Sequence, residues 1–220
     1  MSHLAAELQH LKDEVFQLLQ LVHSQIEKSK EAISTSDRDL ASHVVANDKR
    51  VNASELTIDR DCENILALYN PVAIDLRFVL ACIKMNHSLE RIGDNAEGLA
   101  MYVNHAPGPF PQDLLDAFNI MPAFDRALEM FSLIMDAYRQ EDPSLARKVF
   151  NLDELLNEHN RKATKIAIEK IKSNPEIAEE ILYIMGAMRK IERMGDLTKN
   201  MAEEIIFYIE AKVLRHIKKH

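Results

Sequence analysis

Glu90-Arg91-Ile92-Gly93-Asp94 and Glu192-Arg193-Met194-Gly195-Asp196 are one short motif written twice, 102 residues apart. Upstream of each, a second pattern repeats. Asp48-x-x-x-Asn52 returns as Asp153-x-x-x-Asn157, and Asp37-Arg38-Asp39-Leu40-Ala41 returns as Asp142-Pro143-Ser144-Leu145-Ala146, both at an offset of 105. A deletion of three residues between the second and third elements of the second half reconciles the two offsets. Matches in the same order at nearly constant spacing mark two copies of one unit, fused after duplication.

The punctuation around these anchors defines the unit. Asn70-Pro71, Asp142-Pro143 and Asn174-Pro175 each set a capping residue before a proline suited to a helix start. Ser36 to Asp39 reads as a further start signal. The densest break, Ala106-Pro107-Gly108-Pro109-Phe110-Pro111, falls mid-chain. The segments between, roughly 4–34, 37–69, 71–105, 113–140, 143–173 and 175–217, all read as helix. Leu8, Leu11, Val15, Leu18, Leu19, Val22 and Ile26 keep the spacing of three and four that one helical face demands. Most segments approach ~30 residues, far above the usual ~11–12. The expected fold is all-α: two tandem three-helix bundles of six long antiparallel helices. The expected boundaries are residues 1–106, a proline-rich linker at 107–112, and residues 113–220.

Composition agrees. Only 5 of 220 residues are glycine, against an average of about 7%. That poverty disfavours β-sandwiches and folds built on glycine-rich phosphate loops. The net charge of −8 and a pI near 5.6 speak against nucleic acid as a partner. Cys62 and Cys82 form no C-x-x-C pair and sit among apolar neighbours, as reduced core thiols do. No run of about 18 apolar residues is present and no secretion signal opens the chain. The expectation is a cytoplasmic protein, peripheral to a membrane at most.

The repeated motifs carry the chemistry. Glu90 and Asp94 stand four apart, hence on one helical face, as do Glu192 and Asp196. An antiparallel hairpin turning near residue 70 sets Asp48 opposite residue 92, between Glu90 and Asp94. The second hairpin, turning near 174, sets Asp153 opposite residue 195. Facing carboxylates repel one another unless protonated, paired or bound to a cation. An all-oxygen set suits Mg, Mn or Ca, and Zn and Fe also accept carboxylates. Asp48, Glu90 and Asp94, with Asn52 and Glu97, form the first candidate metal site. Asp153, Glu192 and Asp196, with Asn157 and Asn200, form the second. Lys199 stands where the first half has Glu97, so the second site should hold metal more weakly. The alternative is a solvated acidic face in which Arg91 and Arg193 pair with the carboxylates. Gly93 and Gly195, each costing about 1 kcal/mol inside a helix, argue instead for close helix approach between the carboxylates. A single Glu7-x-x-His10 falls short of the two such motifs of a di-iron bundle. The basic end, Lys212, Arg215, Lys218 and Lys219, reads as a complement to the last helix dipole.

Asn70-Pro71-Val72-Ala73-Ile74-Asp75-Leu76-Arg77 followed by Glu90-Arg91-Ile92-Gly93-Asp94 resembles the PhoU family of bacterial phosphate-transport accessory and regulatory proteins. Glu192-Arg193-Met194-Gly195-Asp196 followed by Asn200-Met201-Ala202-Glu203-Glu204 resembles its second domain. The resemblance spans about residues 4–217. It implies two three-helix bundles, each with a metal-binding acidic face at the residues named above, holding a divalent or ferric ion. It implies no enzymatic reaction. It implies a negative regulator of the phosphate-starvation response when phosphate is plentiful, linking the ATPase of a phosphate ABC transporter to a sensor histidine kinase. Gly98, where the second repeat has Asn200, and Pro175-Glu176-Ile177, where the first has Pro71-Val72-Ala73, depart from the family pattern. Two other readings stand beside it: an oxygen-ligated metalloenzyme in a helical bundle, and an accessory protein of a low-affinity phosphate transporter. Apolar stripes on every helix leave one face to bury, so a homodimer is expected.

Overall fold

The computed structural model describes residues 3–213. Its helices are α1 (His3–Thr35), α2 (Arg38–Tyr69), α3 (Ala73–His105), α4 (Gln112–Ala117), α5 (Ile120–Gln140), α6 (Pro143–Ser173) and α7 (Ala178–Glu210), the last preceded by a 3-10 turn at Pro175–Ile177. Among the described residues there is no strand. Helices α1, α2 and α3 pack on one another, as do α5, α6 and α7. The halves then join, α3 against α7 and α1 against α5. Four helices thus close a ring, with α2 outside one half and α6 outside the other.

Apolar side chains of all seven helices meet in one continuous core. On α5 the stripe is Phe124, Phe131 and Tyr138, seven residues apart and fully buried. Each such side chain contributes about 1.5–3 kcal/mol of burial. The face that either half would leave uncovered lies against the other half of the same chain. Cys62 and Cys82 are buried and unbridged, and burial pushes the Cys62 thiol up to about 12.

Three helix ends differ from the sequence expectation. The helix expected over 113–140 is broken. Phe118 ends α4, and Asn119 turns left-handed at φ 51° before α5 begins. Pro122 accounts for this, because its ring would strike the carbonyl of residue 118 in a continuous helix. Asn119 tolerates the left-handed turn. Asn70 closes α2 in the left-handed region, at φ 46°, and α3 starts at Ala73 rather than 71. Helix α7 stops at Glu210, short of 217. Arg215, Lys218 and Lys219 lie outside the described residues, while Lys212 pairs with Glu210 at 3.0 Å. At the remaining starts, Asp37 and Asp142 cap α2 and α6 by accepting from Leu40 N and Ser144 N.

The α3–α7 contact is antiparallel and in register. Lys84 Nζ lies 3.0 Å from Glu204 Oε2, Gly98 faces Lys190 and Gly186 faces Tyr102, and Tyr183 Oη donates to His105 O at 3.4 Å. Midway along this run Gly93 and Gly195 lie level. Each turns to its own outer helix, Gly93 to Val51 and Asp48 on α2, Gly195 to Leu156 on α6.

Candidate metal centre

Gly93 leaves room for close contact between helices α2 and α3. A Cβ there would sit 3.0 Å from Val51 Cγ1 and 3.4 Å from Asp48 Oδ1. The glycine therefore admits Asp48 to the hairpin seam, where it is only 5% exposed. Asn52, one turn on, donates to Asp48 Oδ2 at 2.9 Å. Asp48 Oδ1 is buried with no hydrogen-bond partner. A buried carboxylate oxygen left bare costs roughly 1–3 kcal/mol, so a cation is the missing partner that chemistry suggests. Asp48 and, on α3, Asp94 and Glu97 each offer a carboxylate oxygen, and these three oxygens lie within 4.8 Å of one another. Asp94 is exposed and Glu97 half-buried, so the trio opens to solvent on one side. The donor set, three carboxylates with one deep and two at the rim, fits an oxygen-seeking cation.

The electrostatics carry the same mark. Burial, then the charge of Asp94, raises the Asp48 carboxyl. Burial, then Asp48 and Asp94, raises Glu97, against the pull of Lys190. Glu90 stands beside the trio rather than in it. Burial and then Asp94 and Glu55 raise its carboxyl, and His87 opposes them. Glu55 extends the acidic seam along α2 and carries no sequence signal beyond its place one turn past Asn52. Asn86, fully buried, donates to Glu55 O at 2.9 Å and to Asp59 Oδ1 at 2.8 Å, tying α3 to α2 beyond the acidic trio.

The second hairpin is built alike and filled differently. Asp153 is 4% exposed, and its Oδ1, like that of Asp48, has no hydrogen-bond partner. Asn157 donates to Asp153 Oδ2 at 3.3 Å. The ammonium of Lys199 lies 2.6 Å from Asp153 Oδ2 and 3.3 Å from Asp196 Oδ1. Burial pulls the Lys199 amine down, but the bond to Asp153 and the charges of Asp153 and Asp196 outweigh it and hold the amine protonated above its usual range. Glu192 lies beside this pair, raised by burial and by Asp196 and steadied by Asn160. Asn200 is exposed and takes no part in these bonds. The ammonium holds the aspartate oxygens that a metal ion in this hairpin would have to share.

Arg91 and Arg193 do not neutralise these carboxylates. Among the described residues neither forms an ion pair. They line a cleft of about 400 Å³ along the α3–α7 seam, together with Lys190, Asp94 and Glu97. The solvated-face alternative, in which the arginines pair with the motif carboxylates, is therefore not the arrangement found.

Comparison with known proteins places these features. The PhoU domain model matches the chain twice, over residues 15–103 and 120–205. The phosphate-specific transport system accessory protein PhoU of Edwardsiella tarda is 29% identical over 96% of this chain and 86% of its own length. The PhoU homolog of that name from Pseudomonas aeruginosa is 29% identical over 96% and 87%. The crystal structure of PhoU from Pseudomonas aeruginosa superposes with a TM-score of 0.88 at 28% identity, covering 94% of this chain and 99% of that one. With two matched domains across most of its length and the same fold as a solved member, the chain belongs to the PhoU family.

Proposed function

We propose that this chain is the accessory protein of a phosphate-specific transport system and a negative regulator of the phosphate-starvation response. In this reading it works in the cytoplasm against the ATPase of a phosphate ABC transporter and a sensor histidine kinase, and catalyses no reaction itself. The carrying observation is the near full-length match, over 96% of the chain, to a relative named as a phosphate-specific transport system accessory protein. Among the described residues no helix is long and apolar enough to cross a membrane, so contact with a transporter would be made from outside the bilayer. Asp48, Asp94 and Glu97 would hold a divalent or ferric cation, whose charge replaces the missing partner of Asp48 and ties α2 to α3. Deleting the gene in its host should switch on starvation-response genes, such as a secreted alkaline phosphatase, in abundant phosphate. A plasmid copy should silence them again. Unchanged expression in the deletion strain would overturn the role, and transporter ATPase failing to co-purify with the tagged protein would overturn the proposed contact.

A further inference from the structure

The two halves set different groups at one structural position. Glu97 follows Asp94 by one turn on α3, and Lys199 follows Asp196 by one turn on α7. Each reaches back toward the buried aspartate of the outer helix, Asp48 or Asp153. The first half gathers three carboxylates there. The second gathers two around an ammonium. Among the described residues, only the first half shows a cluster able to hold a metal ion.

We propose that the Lys199 ammonium is the resident cation of the second repeat. It closes to metal a site equivalent to that of Asp48, Asp94 and Glu97, and a single substitution at residue 199 opens it. The geometry supports each part. The ammonium bonds one oxygen of each aspartate, so an ion ligating Asp153 Oδ2 and Asp196 Oδ1 must take its place. Displacing it leaves a positive charge close by on a short tether, which opposes a dication. The bare Asp153 Oδ1 is a leftover acceptor that the ammonium does not reach and that an ion could. Position 199 is on the same side of its helix as 97, so a glutamate there restores the three-carboxylate set. The proposal rests on the metal reading of the first site only as a template, and the test separates the two.

Chelator-stripped protein is dialysed against Mn²⁺ and bound manganese is measured by elemental analysis, with thermal unfolding recorded in parallel. The variants are D48N/D94N, which disables the first site, and the same pair combined with K199E. Without the 199 change, D48N/D94N should retain no manganese and its melting temperature should not respond to Mn²⁺. With K199E it should gain about one equivalent, and its melting temperature should rise on adding Mn²⁺. Manganese held at one equivalent with Lys199 in place, or no gain with K199E, overturns the proposal. If the K199E form fails to fold without metal, K199Q serves in its stead. Mn²⁺-dependent stabilisation then supports the proposal, and its absence overturns it. Wild type and D48N/D94N binding equally little manganese would overturn the first-site reading alone.

Discussion

Asp48 is the residue on which the site turns. Its carboxyl is raised by burial and by Asp94, so metal-free folded protein holds its proton more tightly than the unfolded chain does. The sign follows: this group's contribution to stability falls as pH rises from its ordinary value of 3.8 through the raised folded value. D48N removes the charge while keeping the shape, and its oxygen can still accept from Asn52. Metal-free D48N should therefore be more stable than wild type by about 1 kcal/mol near neutral pH, and the gain should shrink toward pH 4. Melting curves in chelator at both pH values check this. In metal-loaded protein the sign reverses, because the variant loses a ligand. Proton competition also predicts that manganese leaves the wild-type site before pH reaches the ordinary carboxylate range, which dialysis against a pH series measures. Much of this was legible in the sequence. Hairpin arithmetic set Asp48 opposite residue 92, and the structure sets it against Gly93. Glu55 and Asn160 were not legible, because a helical pattern shows which face a residue takes but not how far a seam continues.

Among the elements, α3 and α7 differ in how their glycines are used. At Gly195 an added Cβ would lie 2.5 Å from Leu156 Cδ2, inside a packed layer where Leu156 is 1% exposed. At Gly98 it would meet the end of the Lys190 side chain, and that chain can swing away. Gly98→Ala should thus gain some of the roughly 1 kcal/mol of helix propensity. Gly195→Ala should lose about 1–3 kcal/mol to overpacking, net of the same gain. Urea unfolding of the two variants should move in opposite directions, and equal shifts would contradict this account. The ends of elements were harder to read than their existence. Proline at 71, 143 and 175 marked the boundaries within a few residues, but the break at Asn119 was signalled only by Pro122, three residues into the next helix. Asn70 before Pro71 reads as a start and is a stop, since asparagine serves both a left-handed helix end and a cap.

Across the whole molecule, the halves complete each other. Residues 1–106 made alone would expose the faces of α1 and α3 that α5 and α7 cover. Such a fragment should self-associate, and light scattering should give a mass at or above that of a dimer, whereas a stable monomer would contradict the shared core. The faces of α1 and α3 turned to α5 and α7 are covered within the chain, while Leu56, Leu68 and Leu182 stay exposed. A homodimer of the full chain is a proposal that light scattering tests. The duplication was readable because its motifs repeat at fixed offsets. The joining of the halves was not, because a helix with apolar and small residues on more than one side does not name its neighbour. One consequence follows from Gly93 and Gly195 lying level across the α3–α7 contact. The chain is built like a two-fold dimer whose subunits share one backbone. In a true homodimer every inherited change appears on both sides of the axis at once. Here each copy of the motif is encoded separately, so one can carry Glu97 and the other Lys199. A shared backbone frees the two sides of a symmetric frame to hold different chemistry.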